Sequence, residues 1–279
     1  MNNALPITLI DLTKRFGREV VGVDVCAAAG TDEFNAFLRK SLFESRLLVF
    51  KGQNRVSANE LLLLAGAIGS AAPSADARFQ LAGFPKISVV GQNAAPDQQS
   101  AMFVNGEIEW HYDYAQYETP ALAGILFGVQ IPAYGGDTIF CDTRSAYEML
   151  SKGDQEKADK MFATFSVEKL NQLLVDPHAA NRAEGAPSHP PVTRAVVPVH
   201  PITGRRSIQL APELMTPVPP CSKDEMVSLL NYCTAEDFLY RHKWSVGDIL
   251  IYDNLSMIHT ATPLQNPLDT RILYRATIL

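Results

Sequence analysis

Cysteine is scarce in this 279-residue sequence: Cys26, Cys141, Cys221 and Cys233 are the only four, and no two form a CxxC pair. That scatter suggests neither a zinc ribbon nor a disulfide framework, and buried thiols are the expectation. Positive charge is also thin, with 24 Lys and Arg against 30 Asp and Glu, a formal net charge of -6 and no basic cluster. Tracking nucleic-acid phosphates needs clustered cations that displace counterions, so a nucleic-acid partner is not expected. Long apolar runs are missing as well. ALAGILFGVQIPA, residues 121–133, falls short of the roughly 20 residues that span a bilayer. The opening MNNALPITLIDLTKRFG has no basic n-region, long apolar stretch or small-residue cleavage site. A soluble, cytoplasmic protein with no membrane partner is the expectation.

What is present is enough apolar material for a sizeable core, at 47% hydrophobic and 9% aromatic residues, and residues 1–279 read as a single domain. Alternation and short apolar runs between turn formers predict strands at ITLIDL, VVGVDV, RLLVF, KISVV, AGILFGVQI, DTIFCD, AVVPVHP, SIQLA, DILIYDN and RILYRATIL. Helical periodicity marks TDEFNAFLRKSLFES, SANELLLLAGAIG, DTRSAYEMLS and KDEMVSLLNYCTAEDF; in the second, Ser57 and Glu60 have capping-box spacing. Many strands with few helices, and turn signals such as YGGDT and SVGDI, predict a mainly β (α+β) fold with a barrel-like core and flanking helices. Residues 93–109 and 175–194, rich in Gly, Pro, Ala and polar residues, read as long loops, either surface connections or lids over a site.

The chemistry gathers at EWHYDYAQYETP, residues 109–120. On a strand, residues i and i+2 share a face, so His111 and Asp113 would offer an imidazole and a carboxylate to one point while Tyr112 points away. An H-x-D pair is common by chance, and one imidazole with one carboxylate does not complete the facial arrangement that holds ferrous iron. A second histidine is needed, and His178, His189, His200, His242 and His259 are available. His178 and His189 lie in a loop-like stretch, and His242 sits in the basic RHKW segment, where a solvated side chain is ordinary. His259 follows an apolar run broken by Asp-Asn and precedes a strand carrying Arg271 and Arg275. Those arginines are four apart and share a face. If their strand lay beside the one leading to His259, both could enter the same cavity, where each buried guanidinium would need an anion. Exposed arginines with surface partners are the other reading.

Taken together, these residues resemble the TauD/TfdA family of Fe(II)- and 2-oxoglutarate-dependent dioxygenases. The likeness runs in order through FGREVVGVDV, SRLLVFKGQ, WHYDYAQYETPALAGILFGVQIPAYGGDTIFCDTRSAYEML, VHPITGRRSIQL, HKWSVGDILIYDNLSMIHTATP and RILYRATI, roughly residues 5–279. It implies a double-stranded β-helix, or jelly roll, with helices packed on it. By position it implies His111, Asp113 and His259 as catalytic iron ligands, Thr138 and Arg271 as the grip on 2-oxoglutarate, and Arg275 as a contact to an anionic substrate. Tyr112, Tyr114, Phe103 and Trp110 are candidate pocket aromatics, the first two assigned to substrate; core packing is the other reading of each.

The function implied is oxidation, with hydroxylation the usual outcome, of a C–H bond in a small anionic metabolite. O2 is consumed, and 2-oxoglutarate leaves as succinate and CO2. Desaturation and oxidative decarboxylation, including isonitrile formation from an amino-acid-derived acid, stay open. The taurine enzymes supply a histidine from the region matching residues 70–100, which holds none here, and this points away from taurine. A non-catalytic acid-binding jelly roll and a hydrolytic zinc enzyme are alternatives of other classes; the latter needs a general base that the sequence does not offer. Homo-oligomers are expected only by analogy with the family.

Overall fold

The computed structural model describes residues 7–74, 77–92, 108–166, 190–266 and 268–279. In chain order the elements begin with β1 (Thr8–Asp11), β2 (Arg18–Val21), α1 (Val25–Ala28), α2 (Asp32–Ser45), β3 (Leu47–Phe50), α3 (Ala58–Ile68), β4 (Gln80–Leu81), β5 (Phe84–Gln92) and β6 (Ile108–His111). The middle holds β7 (Ala123–Gln130), β8 (Thr138–Asp142), α4 (Thr143–Met149), α5 (Lys152–Ala158), β9 (Phe162–Phe165), β10 (Val192–Ala195) and β11 (Met215–Pro217). α6 (Lys223–Cys233), β12 (Leu239–His242), β13 (Ile249–Asp253), β14 (Met257–Ala261) and β15 (Arg271–Ile278) complete the chain.

Eight strands form a major sheet in the order β1-β2-β3-β13-β7-β15-β5-β4, and four form a minor sheet, β12-β8-β14-β6. Residue alternation dictates how they stack. Along β13, Ile249 and Ile251 join a core shared with Phe34, Leu38 and Leu42 of α2 and with Leu61, Leu64 and Ile68 of α3. Leu250 and Tyr252, on the other face, enter a second core with Phe140 and Met257 of the minor sheet. Phe34, Leu38 and Leu42 recur every four residues, so α2 presents one apolar stripe; each such side chain contributes about 1.5–3 kcal/mol on burial. A third core covers the far side of the minor sheet, where Cys141 and Ile258 meet Met226 and Leu229 of α6 and Phe165 of β9. The predicted jelly roll with flanking helices is present; its sheets face each other without closing into a barrel.

The helices start where their caps predict. Ser57 and Glu60 form the expected capping box on α3, while Thr31 caps α2 and Ser222 with Glu225 caps α6. Three strand expectations need correction. VVGVDV is strand only to Val21, because Gly22, at φ 88°, turns the chain and Asp24 caps α1. AVVPVHP and SIQLA bury Val196, Val197, Ile208 and Leu210, but beyond Ala195 they show only the isolated Val199–Arg206 bridge. Pro198 and Pro201 carry no N–H for a ladder, so burial there produces alternation without a strand. Of the two expected loops, residues 93–107 and 175–189 lie outside the described residues; Ile108 and Glu109 belong to β6, and Val192–Arg194 to β10.

Candidate metal and acid-binding site

His111 and His259 become neighbours through sheet register. His111 ends β6 directly opposite His259 of β14, and the imidazole centroids are 4.2 Å apart. Asp113 arrives differently. It lies beyond the strand, in a turn whose next residue, Tyr114, has φ 60°, so strand alternation does not explain its position. Asn254 does. Its Oδ1 accepts from the Asp113 N–H at 2.7 Å, and its Nδ2 donates to the carbonyls of Asp113 (3.0 Å) and Ala121 (2.7 Å). One buried amide thereby pins both ends of the turn. On its other side, Arg194 of β10 donates to the Tyr112 hydroxyl at 2.9 Å and to the carbonyls of Ala115 and Tyr117.

Potential ligand atoms of His111, Asp113 and His259 all lie within 4.8 Å of one another, the only such group among the described residues. The donor set suits a divalent cation. Burial pushes the His111 imidazole below its ordinary pKa and that of His259 to about 3, aided for His259 by His111; both are neutral ligands at pH 7. Burial alone would raise the Asp113 carboxyl, but Arg275, the two imidazoles and the Tyr252 hydroxyl bring it down to about 2. His111 Nδ1 lies 2.8 Å from the Glu109 carbonyl, which assigns its proton there and leaves Nε2 as the ligand atom. His259 Nδ1 is buried with no hydrogen-bond partner. Such an orphan costs about 1–3 kcal/mol, and a bound cation that draws on this imidazole would offset it.

Both Asp113 oxygens already hold donors: Arg275 Nη1 meets Oδ1 at 3.0 Å and the Tyr252 hydroxyl meets Oδ2. Tyr252 reaches that point because its cross-strand partner is Gly124, where a Cβ would fall 2.2 Å from Tyr252 Cζ. Arg275 and Arg271 share the inward face of β15, as their spacing predicts. That strand does not adjoin β13, however; β7 lies between them, and across the gap between sheets Arg275 faces the Asp113 and histidine cluster while Arg271 faces Thr138 and Trp244. Arg271 Nη2 donates to Thr138 Oγ1 at 3.2 Å, and Trp244 Nε1 donates to the same oxygen at 3.0 Å. Burial lowers the Arg271 pKa to about 10, against the opposing field of Asp137, so it remains a cation. Gly136, at φ 68°, leaves room for it: a Cβ there would sit 2.8 Å from Arg271 Cδ.

The aromatic expectations divide. Tyr112 is not brought to this cluster; buried on the opposite face of the minor sheet, it packs against Phe165 and accepts from Arg194. Trp110 packs on that same core. Tyr114 donates to the Pro73 carbonyl at 3.1 Å, packs against Tyr117 with its ring tilted 39° and lies within electrostatic reach of Arg275. Phe103 lies outside the described residues, as do His178 and His189. His242 is not solvated: it is buried, 3.0 Å from Asp248. His200 is buried 3.0 Å from Asp253, its Nδ1 accepting from two backbone N–H groups. Sequence reasoning missed Tyr252, Asn254, Trp244 and Arg194. The one available signal was Asn254, the amide just past β13 in the Asp-Asn break of an otherwise apolar run.

Fold and site point to a class: a jelly-roll protein whose two histidines and one carboxylate could hold a metal ion. The model of the taurine catabolism dioxygenase TauD, TfdA family matches residues 8–277, and the chain belongs to that family. It is 27% identical over 256 residues to the alpha-ketoglutarate-dependent 2,4-dichlorophenoxyacetate dioxygenase of Cupriavidus pinatubonensis, covering 88% of each chain. It is 27% identical to the alpha-ketoglutarate-dependent sulfate ester dioxygenase of Pseudomonas putida, covering 99% of this chain and 90% of that one. Among solved structures, a taurine dioxygenase from Burkholderia xenovorans shares the fold with a TM-score of 0.78 at 24% identity, covering 98% and 89% of the two chains. AAD-2, in complex with Mn(II) and N-oxalylglycine, shares it with a TM-score of 0.77 at 21% identity over 98% and 96%. This protein is therefore an Fe(II)- and 2-oxoglutarate-dependent dioxygenase, an oxidoreductase that uses O2. No helix among the described residues is long and apolar enough to cross a membrane.

Proposed function

We propose that the enzyme hydroxylates a C–H bond of a small carboxylate, sulfate ester or comparable organic anion. In this reading His111, Asp113 and His259 hold Fe(II), Thr138 and Arg271 hold the distal carboxylate of 2-oxoglutarate, and Arg275 faces the substrate anion. Bound iron with 2-oxoglutarate and O2 supplies the oxidising power, releasing succinate and CO2. The chain's own residues do the rest. Arg275 and Tyr252 hold the Asp113 carboxylate in place, Asn254 and Arg194 fix the turn that carries it, and the buried Arg271 presents a forked cation to an acid.

Charge balance carries the proposal. Two inward arginines and a divalent cation face one aspartate and one dianionic cosubstrate, leaving a single positive charge in a largely buried site. A monoanionic substrate neutralises it, whereas a neutral one leaves a charge uncompensated at a cost of several kcal/mol. Arg275 retains a buried Nε with no partner, a donor available beside its bond to Asp113. The relatives' names point the same way, to aryloxyacetate, phenoxypropionate and sulfate ester substrates.

The test is succinate release, dependent on iron and O2, across aryloxyacids, alkyl sulfates, sulfonates, amino-acid-derived acids and neutral isosteres of each. An organic anion should raise release well above the substrate-free background and gain one oxygen. A product that loses two hydrogens or CO2 instead replaces hydroxylation with desaturation or decarboxylation. Preference for the neutral isosteres refutes the charge argument.

A further inference from the structure

Thr138 sits on β8 between β12 and β14, 3% exposed, with its hydroxyl directed at the Arg271 guanidinium. A threonine oxygen has two acceptor sites and one proton. Here both acceptor sites are filled, by Trp244 Nε1–H at 3.0 Å and Arg271 Nη2–H at 3.2 Å. No acceptor for the Thr138 proton occurs among the described residues. Trp244 cannot reverse this polarity, because an indole N–H only donates. It is also held firmly: His242 meets it edge-on at 4.8 Å and is itself anchored 3.0 Å from Asp248. Opposite, Gly128 leaves space that a Cβ would close, at 3.3 Å from the indole.

We propose that Trp244 is a positioning residue that fixes Thr138 as an obligate hydrogen-bond donor, so that this end of the site takes an ionised carboxylate. The inference rests on the assignment of Thr138 and Arg271 to the distal carboxylate of 2-oxoglutarate. Without the indole N–H, only Arg271 Nη2 donates to the Thr138 oxygen, its second acceptor site is open, and the hydroxyl proton is no longer held aimed at the carboxylate.

The experiment is an anaerobic titration of the Mn(II)-loaded enzyme with 2-oxoglutarate, comparing wild type, Trp244→Phe, Thr138→Val and the double variant. Trp244→Phe should weaken 2-oxoglutarate binding about five- to tenfold and leave Mn(II) affinity within about twofold; in a separate aerobic assay with Fe(II), succinate release should show the KM for 2-oxoglutarate raised by a similar factor with little change in kcat. If Trp244 acts through Thr138, the double variant should be no weaker than Thr138→Val alone; independent, multiplying losses would overturn the inference, as would unchanged binding in Trp244→Phe. Should that variant not fold, the wild type still decides. Its two tryptophans give two indole N–H resonances, which Trp110→Phe assigns, and 2-oxoglutarate added with Zn(II) must shift that of Trp244. No shift at saturation overturns the proposal. A wild type that binds metal but no 2-oxoglutarate removes the underlying assignment, and this inference with it.

Discussion

Replacing Tyr252 with Phe removes one hydroxyl and tests how strongly the protein holds its carboxylate ligand. Tyr252 is fully buried, and its hydroxyl donates to Asp113 Oδ2 while Arg275 serves Oδ1. The ring itself stays useful: it packs 5.3 Å from Phe140 and 5.0 Å from His259 between centroids, so Phe leaves no large cavity. What is lost is a hydrogen bond to a buried ionised group, about 1.5–3 kcal/mol. In the metal-free protein that loss falls on stability, and at about 2–4 °C per kcal/mol it lowers Tm by roughly 3–12 °C. In the loaded protein it falls on ligand orientation, where an outer partner of a metal ligand is typically worth about 10–100-fold in affinity. Mn(II) titration followed by electron paramagnetic resonance, with thermal melts of the metal-free form, measures both. An Mn(II) affinity within twofold of wild type, together with an unchanged Tm, would refute the claim that Tyr252 supports Asp113.

Gly124→Ala should produce the same defect without touching a polar atom, because the new Cβ would lie 2.2–2.3 Å from the end of the Tyr252 ring; overpacking of this kind costs about 1–3 kcal/mol, and weaker Mn(II) binding is the readout. Asn254→Ala deletes three hydrogen bonds that hold the Asp113 turn, so urea unfolding should show a loss of about 2–4 kcal/mol along with weakened metal binding. Acid should destabilise the metal-free protein through His259. Burial holds its pKa near 3 in the folded state against about 6.5 unfolded, so its contribution is complete above pH 6.5 and is lost as pH falls toward 3. About 2 kcal/mol disappears between pH 7 and 5; in His259→Phe the pH dependence of urea unfolding should flatten by that amount.

Much of this site was legible because its residues obey strand periodicity. Arg271 and Arg275 share the inward face of β15 as their spacing predicts, whereas Thr138, which opens β8 one residue past the glycine turn at 135–136, was marked only by the resemblance to the family. The H-x-D pair was found by a rule that applies to only half of it: His111 is set by strand register, Asp113 by a turn and a distant amide. Interactions that join residues 113 and 254, or 138 and 244, leave no local pattern. The buried histidines were opaque for a related reason. His242 stands between Arg241 and Lys243, the sequence of a solvated segment, yet β12 turns its imidazole inward to Asp248. Apolar alternation at 195–211 also misled, since Val196, Val197, Ile208 and Leu210 are buried against α6 and its neighbours without the ladder that alternation suggested.

In the proposed site His111, Asp113 and His259 bind one Fe(II) that also accepts 2-oxoglutarate. Anaerobic addition of Fe(II) and then 2-oxoglutarate tests it most directly, read as a weak visible metal-to-ligand charge-transfer band. The wild type should develop the band at one equivalent of iron, and Asp113→Ala and His259→Ala should not. A band of equal intensity in either variant, or none in a wild type shown to be folded, would contradict the account.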